Sequence, residues 1–161
     1  MKYLRALALG IVVIAVAGPA RAQLTQLDMA GRNTVPLSSA SLLRLRDATQ
    51  RLVTLVQGQP ALGKRVPGIP GPDDKLDAAV ELVRATPPVL EALDKSGLEP
   101  KTYLQDLASY GQALTVRETR RIGGPTVMPG LVRDNARTLS QNTSLAPPSR
   151  NMKSMVAAGN R

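Results

Sequence analysis

The sequence predicts an all-α protein, a small irregular helical bundle of about five helices with flexible arms. Two observations predict this and a third bounds it. Leu, Val and Ala recur at helical spacing in several separate segments. Gly, Pro and capping residues divide those segments from one another. The chain of 161 residues has no Cys, so no disulfide framework holds it and packing alone must do so.

Taken in order, residues 1–22 read as a Sec-type signal peptide. Lys2 and Arg5 precede an apolar run from Ala6 to Ala17, Gly18 and Pro19 break it, and Ala20 and Ala22 flank Arg21. That is the order positive, apolar, breaker, A-x-A. The run is too short to span a bilayer, which takes roughly 20 apolar residues, so cleavage after Ala22 and a periplasmic or secreted product are expected. An uncleaved anchor is the other reading of the same run. Residues 23–36 are polar and aperiodic, with Gly31 as a breaker and Pro36 at the end, and are expected to form a flexible arm.

The helical domain is expected over residues 37–141. Ser38 or Ser39 caps a first helix from about Ala40 to Gln57, with Leu42, Leu45, Leu52 and Val56 on its apolar face and Arg44, Arg46 and Arg51 mostly off it. The three arginines read as a solvated helix face, with an anion site as the alternative. Residues 58–72, GQPALGKRVPGIPGP, hold four Gly and four Pro, which predicts a long loop without a regular element. Loops of this length inside a domain tend to be functional or plain linkers, and Lys64 and Arg65 make it a candidate contact surface. The spacing Gly58, Gly63, Lys64 approaches a phosphate-binding loop but runs into Arg65 where Ser or Thr is needed, and no strand precedes it.

Asp73 or Asp74 caps a second helix running to about Ala85, with Leu76, Ala79, Val80 and Val83 on one face. Its early acidic residues, Asp77 included, suit the positive end of the helix dipole; a carboxylate site of Asp74, Asp77 and Glu81 is the sharper alternative. Thr86 then caps a short third helix with Pro87 at its first position, where proline costs least. Gly97 ends it, and a Schellman ending would fold Leu98 back on Leu93. Pro100 begins the longest helix, extended to about Ile122, whose stripe is Tyr103, Leu104, Leu107, Tyr110 and Leu114. Ala108 and Gly111 on it leave room for a neighbouring helix. A fifth helix is expected from about Pro129 to Gln141, and residues 142–161 read as a disordered basic tail.

Composition removes several functions. With 21 basic and 12 acidic residues the formal charge is +9; loss of Lys2, Arg5 and Arg21 with the signal would leave +6, a charge that favours encounters with anionic surfaces or simply keeps the protein soluble. The chain has no His, Cys, Trp or Phe. No cofactor or metal is expected, because the usual zinc, copper and haem ligands are missing. A nucleophile activated by His is impossible, and two tyrosines beyond the signal are a poor platform for stacking nucleic-acid bases, so no specific nucleic acid is expected as a partner.

The candidate anion-binding residues are Arg117, Arg120 and Arg121 at the end of the longest helix, with Lys64 and Arg65 in the loop. Three guanidinium groups so close together repel unless something pairs them, although the carbonyl end of the helix dipole also accounts for positive charge there.

The stretch SGLEPKTYLQDLASYGQAL from Ser96 to Leu114, with Gly97, Leu98, Pro100, Lys101 and Tyr103 at its start, resembles a group of small exported helical bacterial proteins of unknown function. The resemblance implies an exported helical protein and brings no activity with it. Two functions are therefore carried forward. One is a non-enzymatic envelope protein that binds a partner protein or an anionic envelope polymer without spanning the membrane. The other is an enzyme using carboxylates and arginines alone, which would require Asp77, Glu81 and Asp106 to converge in one pocket opposite Arg117 or Arg120.

Overall fold

The computed structural model describes residues 33–70, 76–121 (backbone only at Arg121) and 130–148, and every regular element within them is a helix. In chain order these are α1 (Ser39–Gly58), a 3-10 helix (Pro60–Arg65), α2 (Leu76–Arg84), α3 (Pro87–Asp94), α4 (Pro100–Arg121) and α5 (Gly130–Gln141). The protein is an all-α bundle. The expected signal peptide, most of the arm, the Asp73 and Asp74 caps, the turn before α5 and the tail from residue 149 lie outside the described residues.

Helix α4 is the central element: it packs most extensively on α5 and also meets α1, α2 and α3. The reason is its stripe. Tyr103, Leu104, Leu107 and Tyr110 are all at most 2% exposed, joined by Ala113 and Val116 one and two turns on, so one side of the helix is apolar over most of its length. Leu114, the last residue of the expected stripe, is only partly buried. Burying a side chain of Leu size contributes about 1.5 to 3 kcal/mol, and α1 answers with Leu42, Leu45, Ala48 and Leu52, all fully buried.

The caps follow local chemistry. Ser38 Oγ accepts from the Ser41 amide at 3.0 Å while Ser41 Oγ accepts from the Ser38 amide at 2.8 Å, a reciprocal capping box at the start of α1. Thr86, expected to cap α3, does not: its hydroxyl donates backward to the Leu82 carbonyl at 2.8 Å. Pro87 and Pro88 open α3 without N–H groups, and the Val89 amide already bonds to the Thr86 carbonyl at 2.9 Å, so little remains for a side chain to cap. At the other end of α3 the Schellman ending forms as expected. Gly97 takes φ 67°, its amide bonds to Asp94 O at 2.9 Å and the Leu98 amide to Leu93 O at 3.1 Å, which sets buried Leu98 and Leu93 together in the core.

Three stretches differ from the sequence expectation. The 3-10 helix occupies the first part of the expected loop, with Gly63 and Val66 buried. Beyond it Ile69 crosses α4 at Gly111, where an added Cβ would stand 2.7 Å from Ile69 Cγ2; the small residue there admits the loop rather than a helix. Residues 33–36 belong to the expected arm, yet Asn33 and Thr34 are buried. Asn135 of α5 holds the strand-like entry to α1 from both sides, accepting from the Leu37 amide at 2.8 Å and donating to the Val35 carbonyl at 2.9 Å. The Val35 amide also donates to Ser109 Oγ on α4 at 2.8 Å.

At the other end residues 142–148, expected as the start of a disordered tail, are fastened likewise. The Tyr110 hydroxyl donates to the Pro147 carbonyl at 2.9 Å, an Arg46 Nη1 donates to the Ser144 carbonyl at 2.8 Å, and Ser39 Oγ donates to Asn142 Oδ1 at 2.9 Å.

Candidate functional site

An open groove of about 520 Å³ lies between α1 and the turn after α3, with the fastened C-terminal residues at its edge. Its walls are Leu43, Arg44, Arg46, Asp47 and Gln50 of α1, Lys95 and Ser96 from the turn after α3, and Pro148. Three cations thus meet one carboxylate in a concave surface assembled from three parts of the chain.

Three of the four charges are held by a neighbour. Arg46 is tethered through its bond to Ser144 O, which uses one of the five N–H donors of a guanidinium and leaves the others for a ligand. Asp47 sits 2.9 Å from the Arg51 Nε; that hydrogen bond, opposed by slight burial and aided by Ser96 and by the charges of Arg51 and Arg46, holds its carboxyl below the ordinary range. Lys95 donates to Glu91 Oε1 at 2.6 Å and lowers the Glu91 pKa through that bond and its charge. Both members of this pair are well exposed, so it is soft and readily exchanged for another carboxylate.

Behind the groove lies Asp106 on α4, 4% exposed, with Oδ2 making no hydrogen bond within the protein. Burial pushes its carboxyl up, and the Arg44 guanidinium offsets part of that push. Arg44 therefore belongs both to the groove wall and to the field of a buried acid. The Tyr103 hydroxyl, one turn before Asp106, is likewise buried without a partner, and burial raises its pKa.

A second groove, of about 370 Å³, is apolar and lies between Pro67, Gly68, Ile69 and Pro70 of the loop and Leu76, Ala78 and Ala79 of α2. Neither groove is lined by the residues singled out in the sequence. Arg117 lies beside Glu118 at 3.5 Å, Arg120 is exposed, and the Arg121 side chain lies outside the described residues. Lys64 and Arg65 are exposed on the last turn of the 3-10 helix.

The carboxylates named for an enzyme do not share one environment: Asp77 and Glu81 are exposed on α2, Glu81 paired with Arg84 at 2.9 Å, whereas Asp106 is buried on α4. Among the described residues no group of three or more His, Cys, Asp or Glu is placed to hold a metal ion, and no helix is long and apolar enough to cross a membrane.

Arg44 and Arg46 lie on a helix face that the sequence marks as solvated, and nothing local joins them to Lys95, because their meeting depends on the packing of α3 on α1. Comparison of the chain with models of protein families, with curated proteins and with solved structures gives no match.

Proposed function

We propose that the chain is an exported, non-enzymatic binding protein that engages an anionic partner through the groove on α1. The observation that carries this reading is the convergence of Arg44, Arg46 and Lys95 in one concave surface, with Arg46 tethered to Ser144 O by one of its N–H groups. The order of charged, apolar and small residues in 1–22 and the resemblance of Ser96 to Leu114 to exported helical proteins support the compartment. N-terminal sequencing of the mature product should begin at Gln23; a product that keeps Met1 in the inner membrane overturns cleavage, and a product found whole in the cytoplasm overturns export.

The binding half is tested with fluorescein-labelled polyglutamate and the full mature chain. Charge-assisted hydrogen bonds are worth about 1.5 to 3 kcal/mol, so Arg44→Gln with Arg46→Gln should weaken binding by about tenfold or more, and well beyond the effect of Arg117→Gln with Arg120→Gln. Equal losses from the two double variants would mean that charge is read diffusely over the whole surface, and the groove would lose its role.

A further inference from the structure

The groove is a mixed surface. The Asp47 carboxylate stands among its three cations, held ionised by Arg51, and an exposed apolar side chain, Leu43 at 44%, shares the wall with Pro148. A polymer bearing a phosphate on every repeat would have to bring negative charge against Asp47 and lay polar surface over Leu43, and both contacts are unfavourable. A peptide avoids both. Its carboxylates are spaced by other residues, its backbone N–H groups are donors for Asp47, and its apolar side chains can cover Leu43. The tethered guanidinium of Arg46 suits a carboxylate, which it can meet with two parallel N–H groups.

The path of the chain supplies a second observation. The bonds from Tyr110 to Pro147 and from Arg46 to Ser144 bring the chain past the rim of the groove at Pro148. Residues 149–161 follow from that point and carry Arg150, Lys153 and Arg161 with no Asp or Glu. Lys153 is five residues on, at most about 18 Å of contour from Pro148. Like charge disfavours this segment as the occupant of a basic groove.

Resting on the groove as the binding surface, we propose that its occupant is an extended acidic segment of a partner protein with an apolar side chain among its carboxylates. Its carboxylates meet Arg46, Arg44 and Lys95, and its apolar residue covers Leu43 and Pro148.

The test measures fluorescence anisotropy of the full mature chain with three probes: a labelled twelve-residue peptide of Glu, Gly and Ser with two central Leu, the same peptide with both Leu replaced by Ser, and labelled polyphosphate of matched charge. The Leu peptide should bind tightest, with a loss of about tenfold on Leu-to-Ser replacement, the size expected when two apolar side chains are partly buried. Arg44→Gln with Arg46→Gln should weaken it about tenfold or more. Circular dichroism of each variant checks the fold, and Lys95→Gln replaces the arginine pair if its helicity falls.

Polyphosphate binding as tightly as the Leu peptide, together with no penalty for Ser in place of Leu, overturns the peptide occupant and leaves the groove as an anion site. If the groove variants weaken neither probe, the groove itself fails and the occupant fails with it.

Discussion

The apolar interior of the bundle and the polar fastenings at its two ends hold the same helices by different means. Inside, Leu107 of α4 is 1% exposed and Leu45 of α1 fully buried, and contact among such side chains is non-directional, so many sequences of similar pattern would serve. At the ends, single side chains do the holding. Asn135 bonds to Val35 and Leu37, and Tyr110 to Pro147, each a directional bond to backbone far away in sequence. The interior makes the bundle; the fastenings decide where the flanking chain runs, and one of them sets Pro148 at the edge of the groove.

The largest effect expected is in the interior. Leu107→Ala removes a buried side chain from the centre of α4 and should cost about 2 to 5 kcal/mol in urea unfolding, the range for cavities left by large-to-small changes. A loss under about 0.5 kcal/mol, the size of a surface change, would place this face of α4 outside the core.

Asn135→Ala breaks two bonds and leaves the Leu37 amide and the Val35 carbonyl without their partner near the core. About 2 to 3 kcal/mol should be lost, with faster hydrogen exchange at the Leu37 amide while amides in the middle of α4 keep their protection. Uniform loss of protection would mean that the fastening and the interior are one cooperative unit. Tyr110→Phe deletes only a hydroxyl and should cost about 1 kcal/mol.

These two regions were unequally legible in the sequence. The stripe Tyr103, Leu104, Leu107, Tyr110 follows from the helical period, and the Gly97 ending from the chemistry of a single glycine, so the helices and most of their ends could be read locally. Asn135 could not. On its own helix it stands beside Ala136 on a face otherwise apolar, and nothing within ten residues announces that its partners are about a hundred positions earlier. The 3-10 helix hid behind four prolines and four glycines, which mark turns without stating which turns compact into a helix. The groove was illegible for the same reason as the fastenings. Arg117, Arg120 and Arg121 attract notice because they are close in sequence, whereas Arg44 and Arg46 become neighbours of Lys95 only after α3 has been laid against α1.

Asp106 tests how far the interior tolerates charge. Its folded pKa is raised by burial, with Arg44 working against the shift. Between its unfolded and folded pKa values the folded state therefore holds more protons, and stability from this group falls as pH rises through that window. Asp106→Asn, which cannot ionise, should gain on the wild type as pH rises from the ordinary carboxylate range, about pH 4, towards neutrality when both are unfolded in urea. A stability difference that stays constant over that range would mean that Asp106 keeps an ordinary carboxyl in the fold.

The smallest change in stability is expected at Arg46, where the fastening is exposed. Arg46→Gln removes the bond to the Ser144 carbonyl, which water can replace, so unfolding should move by less than about 0.5 kcal/mol. The variant separates holding the fold from shaping the groove, because the same bond helps bring Pro148 to the rim. Amide exchange at Leu145 and Ala146, whose amides bond within the turn to Asn142 and Thr143, should quicken while exchange in α4 and α5 stays as it was. If instead Arg46→Gln costs as much as Asn135→Ala, the C-terminal turn is part of the core, and the path of residues 144–148 is set by stability rather than by the groove it completes.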